Sequence, residues 1–206
     1  MEPFNRYEGV VVPLNRANVD TDQIVPKQFL KLTQRTGFGK YLFYDWRFFE
    51  DGTPKNEFVL NQPRYKDSKI LLTRSNFGCG SSREHAVWAL TDYGFRVLIA
   101  PSYADIFYNN CFKNGVLPIT ASDRQIDELF EDVTAHYGYT LQVDLNNQTV
   151  TKPTGQVIQF MIDPFIKKCL LEGLDDISIT LQHEQEIRSY EARLRPYQIV
   201  DVVRLK

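Results

Sequence analysis

The sequence predicts an α/β fold in which a mostly parallel sheet is flanked by helices. Two short apolar runs, at 69–73 and 96–100, have the composition of buried parallel strands. The segment between them, 82–93, carries apolar residues at helical spacing. A strand, a helix and a second strand in this order form the unit from which parallel sheets are built.

The first third of the chain is irregular and rich in aromatic residues. Residues 7–13 are predicted to form a strand and residues 26–32 a short helix. The stretch 36–47 contains two glycines among its aromatic residues, which favours a loop. A loop of this size inside a compact domain is usually functional.

The alternation of helix and strand continues beyond residue 100. A second helix is predicted at about 103–114 and a strand at 116–119. The residues Ser122 to Gln125 form a capping box that opens a third helix. The apolar face of that helix would consist of Ile126, Leu129, Phe130 and Val133.

The C-terminal part begins with a predicted hairpin. It pairs 139–143 with 148–152 around Asn146 and Asn147, which tolerate positive φ. A further strand is predicted at 155–160. These elements extend the sheet.

Helices are predicted to end the chain. Asp163 can cap a helix that has Pro164 at its first position, and Gly173 can end it. A longer amphipathic helix is expected at about 175–194, with Ile177, Leu181, Ile187, Tyr190 and Leu194 available for burial against the domain or a partner.

The length allows one well-cored domain or one domain with an appendage. We expect a single domain spanning residues 1–206, with a core of about 1–160 and a C-terminal helical extension of about 161–206. Lys and Arg number 24 against 26 Asp and Glu, so the chain lacks the basic excess of nucleic-acid-binding proteins. No run approaches the roughly 20 apolar residues that span a bilayer. The N-terminus does not resemble a signal peptide, and we expect a cytoplasmic location.

The three cysteines are Cys79, Cys111 and Cys169. Their odd number and wide spacing argue against a disulfide framework and against a local zinc or iron–sulfur site. If iron–sulfur chemistry is involved, we do not expect this chain alone to hold the cluster.

A loop at 76–85, Asn-Phe-Gly-Cys-Gly-Ser-Ser-Arg-Glu-His, follows one predicted strand and opens a helix. Its glycines, Gly78 and Gly80, allow a ligand to approach the backbone. The first helical turn offers unpaired N–H groups and the positive end of the helix dipole. Arg83 can grip a carboxylate through two parallel hydrogen bonds. The loop is therefore an anion-site candidate.

The same loop has other interpretations. Ser81 and Glu84 have the spacing of a capping box, so a purely structural role is about as well supported by the local pattern alone. A dinucleotide fingerprint requires a third glycine where Arg83 stands, and a P-loop requires Gly-Lys-Ser or Gly-Lys-Thr. Both nucleotide motifs are excluded.

The loop 76–85 resembles the signature of the swivelling C-terminal domain of aconitase-type hydro-lyases, a β/β/α domain. Nearly the whole chain is similar to the small subunits of bacterial isopropylmalate isomerases. The similar segments are 18–26, 37–47, 102–107, 114–118 and 173–184.

This resemblance implies a reaction and a partner. The reaction is the reversible conversion of 2-isopropylmalate to 3-isopropylmalate through a dehydrated intermediate, in leucine biosynthesis. The partner is a separate large subunit that carries a [4Fe-4S] cluster, with the active site between the two chains. No cofactor or metal is then expected on this chain itself.

The resemblance also implies residue roles. Ser81 corresponds to the catalytic base, and Ser82 and Arg83 to residues that hold a substrate carboxylate. Asp22 corresponds to an acidic residue of the catalytic site, with Thr21 beside it assigned to substrate binding. The structural alternative for Asp22 is a turn or helix-capping aspartate.

One departure concerns the second substrate arginine of the aconitase pattern. Gln34 stands at that position, and Arg35 beside it is our candidate. The surrounding segment is apolar and aromatic, so we hypothesise that residues within 30–46 recognise the isopropyl group. Packing in the core or against another subunit explains these aromatics equally well. For His85 we favour a structural role.

Two rival functions remain open. One is the small subunit of a related hydro-lyase for another diacid, such as citraconate or homoaconitate, with residues 30–46 as the discriminating feature. The other is a non-catalytic module that binds an anion at Ser81, Ser82 and Arg83.

Overall fold

The structure, a computed structural model, describes residues 1–30 and 36–194. It contains seven strands and eight α-helices within those residues. The strands are β1 Arg6–Leu14, β2 Ile70–Thr73, β3 Val97–Ala100, β4 Leu117–Thr120, β5 Thr140–Asp144, β6 Thr149–Thr151 and β7 Val157–Gln159. The helices are α1 Thr21–Ile24, α2 Tyr44–Arg47, α3 Glu84–Tyr93, α4 Asp105–Lys113, α5 Asp123–Ala135, α6 Pro164–Glu172, α7 Asp176–Leu181 and α8 Glu184–Glu191.

The strands form one sheet in the order β4-β3-β2-β1-β5-β6-β7. The pairs β1–β2, β2–β3 and β3–β4 are parallel. All residues of β2 and β3 are buried, as expected for strands covered on both faces. Helix α3 connects β2 to β3 and helix α4 connects β3 to β4, which confirms the α/β prediction.

The other half of the sheet is antiparallel, through the pairs β1–β5, β5–β6 and β6–β7. The sheet is therefore mixed. Short connections join β5 to β6 and β6 to β7, and strands joined in this way pair antiparallel. The hairpin predicted around Asn146 and Asn147 is present. Its positive φ of 54° falls on Gln148, and Asp144 accepts a hydrogen bond from the Asn147 N–H.

The predicted start of α5 is confirmed in detail. Ser122 and Gln125 form the reciprocal hydrogen bonds of a capping box. The four residues of the predicted apolar face, Ile126, Leu129, Phe130 and Val133, are all buried.

Helix α6 also has the predicted ends. Asp163 accepts hydrogen bonds from the Phe165 and Ile166 N–H groups, and Gly173 ends the helix with a φ of 70°. The helix packs on the body of the domain, since Leu170 is buried and its carbonyl accepts from the Phe4 N–H.

The single helix predicted at 175–194 is wrong. The chain forms α7 and α8 instead, separated at Gln182 and His183. Both of these residues donate to carbonyls three positions back, which tightens the end of α7. Ile177 and Leu181 are more than half exposed, so packing does not hold the two segments in one straight helix. None of the helices described is long and apolar enough to cross a membrane.

The irregular N-terminal region is more structured than predicted. Within the helix predicted at 26–32 the described residues form only a 3₁₀ turn at Lys27–Phe29, and the short helix α1 precedes it; residues 31–35 lie outside the described residues. The predicted loop at 36–47 contains a 3₁₀ turn at Gly39–Tyr41 and the short helix α2.

The stretch 36–47 is anchored in the core. Phe38, Leu42 and Phe43 are at most 1% exposed. Gly39 lies directly against α3, where a Cβ atom would come within 2.8 Å of the Asp92 carbonyl carbon. A larger residue would therefore push this stretch away from the helix.

Candidate active site

The loop 76–83 lies beyond the carboxyl end of β2, the edge at which parallel sheets usually bind ligands. Backbone hydrogen bonds join it to the chain that follows β1 and β3. The Gly78 N–H donates to Val19 (2.8 Å), the Phe77 N–H to Ser102 (3.2 Å) and the Ala104 N–H to Phe77 (3.0 Å). Tertiary contacts from two neighbouring connections thus fix the loop.

Three residues of the loop are left-handed: Asn76 (φ 58°), Gly78 (φ 77°) and Gly80 (φ 87°). Gly78 has a second constraint, because a Cβ atom there would lie 2.1 Å from the Phe107 ring. The Asn76 side chain donates to the Asn18 carboxamide oxygen at 2.8 Å. Asn18 is itself left-handed, with a φ of 54°.

The helix after the loop starts differently from the capping-box pattern. Helix α3 begins at Glu84, and its N-cap residue Arg83 is extended without a side-chain capping hydrogen bond. The proposed capping box of Ser81 and Glu84 is therefore wrong. Glu84 instead accepts from Asn114 at 3.2 Å. No residue in the described part of the chain hydrogen-bonds the Ser81 or Ser82 hydroxyl, so both serines are available to a ligand.

A cavity of about 230 Å³ lies above these serines. Residues from three parts of the chain line it: Thr21, Gly78, Gly80, Ser81, Ser82, Arg83, Ala104, Asp105, Ile106 and Phe107. The backbone N–H groups of residues 80–83 have no acceptor among the described residues. Together with the positive end of the α3 dipole they make this cavity suited to an anion.

Arg83 forms an ion pair with Asp22, its Nη1 donating to Oδ1. The Arg83 side chain is largely covered, at 12% exposure. The Lys27 ammonium lies 3.4 Å from the other Asp22 oxygen. Asp20, not Asp22, is the N-cap of α1, so the Asp22 carboxylate is free for these cations.

Thr21 is buried, with 2% exposure. Its hydroxyl donates to the Ser81 carbonyl at 2.7 Å, and its N–H donates to the Cys79 carbonyl at 3.0 Å. The hydroxyl that the resemblance assigns to substrate is thus engaged within the chain.

Ionisation of the loop cysteine, Cys79, is disfavoured. Burial raises the pKa of the Cys79 thiol, and the nearby Asp20 charge raises it further. Among the described residues, no three His, Cys, Asp or Glu side chains are grouped as metal ligands.

The structure brings five of the six predicted site residues together: Thr21, Asp22, Ser81, Ser82 and Arg83. The sixth, Arg35, lies outside the described residues. Sequence reasoning missed Lys27, just beyond α1 from Asp22. It also missed Asp105 and Ile106 as lining residues, although they lie in a segment, 102–107, that carried the resemblance.

His85 packs among aromatic rings. Its ring lies 5.3 Å from Phe38 and 4.6 Å from Trp88, measured between centroids. This arrangement supports the structural role, which stays a prediction.

Burial reduces the number of residues within 30–46 that could contact an isopropyl group. Phe38, Leu42 and Phe43 belong to the core and cannot contact a ligand without repacking. Ile106, in contrast, is 56% exposed and lines the cavity. A larger depression of about 1130 Å³, which includes Phe29, lacks the grouping of serines, arginine and free N–H groups.

Comparisons with known proteins cover nearly the whole chain. Residues 1–124 match the model for the aconitase C-terminal domain, and residues 127–164 match a model described as LeuD_N. Residues 176–198 match the model for the C-terminal domain of the 3-isopropylmalate dehydratase small subunit.

Two relatives are named 3-isopropylmalate dehydratase small subunit. The protein from Brevibacillus brevis is 60% identical over 94% of this chain and all of its own length. The protein from Aromatoleum aromaticum is 58% identical over 97% of this chain and all of its own length. A crystal structure described as 3-isopropylmalate dehydratase from Methanocaldococcus jannaschii is 25% identical, with a TM-score of 0.65, and covers 90% of this chain and 99% of that one.

Proposed function

The chain belongs to the family of 3-isopropylmalate dehydratase small subunits, and from this premise we propose that it is the small subunit of a heteromeric hydro-lyase. The enzyme would interconvert 2-isopropylmalate and 3-isopropylmalate by dehydration and rehydration, in leucine biosynthesis. A large subunit would complete the active site and carry a [4Fe-4S] cluster. The cytoplasmic location and the division into a core and an extension stay predictions.

One observation carries the proposal: a serine without an internal partner, a nearly covered arginine and several free backbone N–H groups share one small cavity in the described part of the chain. Removal of a proton next to a carboxylate needs a base, a grip on the carboxylate and stabilisation of negative charge. Ser81 would supply the base and Arg83 the grip on the carboxylate. The backbone N–H groups of residues 80–83 would stabilise the negative charge.

Ser81 would act as the base. A serine hydroxyl is a poor base at its ordinary pKa, so its alkoxide must be stabilised locally. The free N–H groups, the α3 dipole and the Arg83 charge can do so most strongly where water is excluded. Ser81 and Ser82 are exposed in this chain. The site therefore needs a second surface over it, which supports a partner subunit.

Arg83 would hold a substrate carboxylate, with Ser82 donating a further hydrogen bond. Asp22 pairs with one edge of the guanidinium and fixes its direction, leaving its other N–H groups for the ligand. This geometry indicates that Asp22 contributes by orienting the Arg83 side chain.

A dicarboxylate needs more positive charge than the described residues provide. Arg83 is the one cation among the lining residues, and Asp105 lines the same cavity. The second carboxylate would have to be neutralised by Arg35, our candidate beside the family's arginine position at Gln34, or by the partner subunit.

Reconstitution tests the proposal. The purified chain is combined with a cluster-bearing large subunit, and turnover of 2-isopropylmalate is measured beside citraconate and homoaconitate. We expect isopropylmalate to have the highest kcat/KM. A large subunit that is active with a known small subunit serves as control. No turnover of isopropylmalate with this chain would overturn the substrate assignment, and tight anion binding without turnover of any diacid would favour a binding module.

A further inference from the structure

Thr21 holds the active-site loop at two points on either side of Gly80. Its N–H donates to the Cys79 carbonyl at 3.0 Å, and its hydroxyl donates to the Ser81 carbonyl at 2.7 Å. Gly80 lies between the two carbonyls in the left-handed conformation, with a φ of 87°. Because Thr21 is 2% exposed, water does not compete for these hydrogen bonds.

Peptide geometry determines what these hydrogen bonds do on the other side of the loop. In a trans peptide the C=O of one residue and the N–H of the next point in opposite directions. The described residues contain no cis peptide bond. The Cys79 and Ser81 carbonyls both accept from Thr21, so the N–H groups of Gly80 and Ser82 point to the opposite side of the loop.

These two N–H groups have no acceptor among the described residues. Successive backbone N–H groups around a left-handed residue can form a concave nest for an anion, and the Ser81 N–H between these two is also without an acceptor among the described residues. Gly80 and Ser82 both line the cavity that contains Arg83. The loop therefore presents two aimed donors beside the arginine.

We propose that Thr21 is a positioning residue that aims the Gly80 and Ser82 N–H groups at a carboxylate oxygen of the bound ligand. The identification of that ligand as a diacid substrate rests on the proposed function. Without the Thr21 hydroxyl, the Ser81 carbonyl loses its partner and the peptide between Ser81 and Ser82 is free to rotate. The Ser82 donor would then have to be ordered at the moment of binding, while the Gly80 donor would stay held through the Thr21 backbone N–H.

Kinetics of Thr21 variants in the reconstituted complex test this role. Thr21→Val keeps the shape and removes the hydroxyl, while Thr21→Ser keeps the hydroxyl. Loss of one neutral hydrogen bond predicts a rise in KM of about five- to tenfold for Thr21→Val, with a smaller change in kcat. Thr21→Ser should restore the KM.

A matched control is available at Thr73. It is fully buried, and its hydroxyl donates to the Arg16 carbonyl at 3.2 Å, on a segment that does not line the cavity. Thr73→Val should lower the free energy of unfolding about as much as Thr21→Val does, but it should leave KM unchanged. If Thr21→Val and Thr73→Val behave alike, or if Thr21→Ser does not rescue, the inference is overturned.

A titration of the full chain separates this inference from the proposed function. Malate is added to isotope-labelled protein, and the amide resonances of Gly80 and Ser82 are followed by NMR. We expect both to shift in the wild type and in Thr21→Ser, and the Ser82 amide to shift much less in Thr21→Val. An inactive reconstituted wild type would contradict only the proposed function. Wild-type amides that do not respond to malate would overturn the role of Thr21, whatever the activity and whether or not Thr21→Val folds.

Discussion

Asp22 reaches Arg83 across the gap between α1 and the loop that precedes α3, and the two side chains form an ion pair. The pair connects two segments that are 61 residues apart in the sequence. Lys27 contributes a second, more exposed cation to the same carboxylate. Asp22 thus orients the arginine while part of the guanidinium stays open to a ligand.

This ion pair should stabilise the fold measurably. In a double-mutant cycle of Asp22→Ala and Arg83→Ala, followed by urea unfolding, we expect a coupling of about 1 kcal/mol, since the arginine is mostly covered but the carboxylate is about one-third exposed. The exposed pair Arg188–Glu184 on α8 provides the control, with a coupling of about 0.3–0.5 kcal/mol. Equal coupling in the two pairs would contradict a special role for Asp22.

Arg83→Lys should mainly weaken substrate binding. A lysine keeps the charge but loses the planar fork that grips a carboxylate through two hydrogen bonds. One lost charge-assisted hydrogen bond predicts a rise in KM of about ten- to a hundredfold, with a smaller change in kcat. Steady-state kinetics of the reconstituted complex measure this. Arg188→Lys, on exposed α8, is the matched control, and an unchanged KM for Arg83→Lys would refute the carboxylate role.

Ser81→Ala should abolish turnover while assembly with the large subunit survives. Loss of the proton-transfer group predicts a fall in kcat of about a hundred- to ten-thousandfold. Assembly is measured by analytical ultracentrifugation and turnover by steady-state kinetics. Ser189→Ala, at an exposed position of α8, should change neither. A near-wild-type rate for Ser81→Ala would remove the serine from the mechanism.

Elements whose ends are set by local chemistry were predictable from the sequence. The capping box at Ser122 and Gln125 and the Asp163 cap of α6 depend on side chains within three residues of the helix start. The same rule failed at Ser81 and Glu84. There, hydrogen bonds to Val19 and Ser102 impose the loop conformation, and the helix starts later.

The remaining differences also arise from tertiary contacts. The burial of Phe38 and Phe43 depends on how closely Gly39 approaches α3, which no local pattern reveals. At the site, family resemblance identified Ser81 and Asp22 as functional candidates. It did not show that the Thr21 hydroxyl is used within the chain, because that hydrogen bond spans 60 residues.

Cys79 should react slowly with alkylating reagents. Burial and the Asp20 charge raise the pKa of its thiol, so a smaller fraction is thiolate at neutral pH. We expect its alkylation by iodoacetamide at about pH 7.5 to be slower than that of a peptide spanning residues 76–83. The pH at which the alkylation rate rises should also be higher in the folded protein than in the peptide.

The same shift has a consequence for stability. The folded chain keeps the Cys79 proton at pH values where the unfolded chain has lost it. The binding of this proton therefore contributes fully to the free energy of unfolding below the pKa of the unfolded thiol. The contribution is lost as the pH rises from that pKa through the higher pKa of the folded thiol. In the alkylation experiment the modified residue is identified by mass spectrometry, and Cys79→Ser is the control that lacks this thiol. Alkylation of the folded protein at the rate of the peptide would contradict the prediction.

Gly78→Ala should destabilise the fold through a clash that can be separated from backbone strain. The new Cβ would lie 2.1 Å from the Phe107 ring, and Gly78 has a φ of 77°. Overpacking costs about 1–3 kcal/mol, and the left-handed conformation costs an alanine a further 1–2 kcal/mol or so. Gly155→Ala is the matched control, because Gly155 has a φ of 84° but no atom within 4 Å of its added Cβ. Urea unfolding should therefore show a loss for Gly78→Ala that exceeds the loss for Gly155→Ala by about 1–3 kcal/mol. Equal losses would mean that Phe107 moves aside freely, and that the part of the cavity wall formed by Phe107 is not rigid.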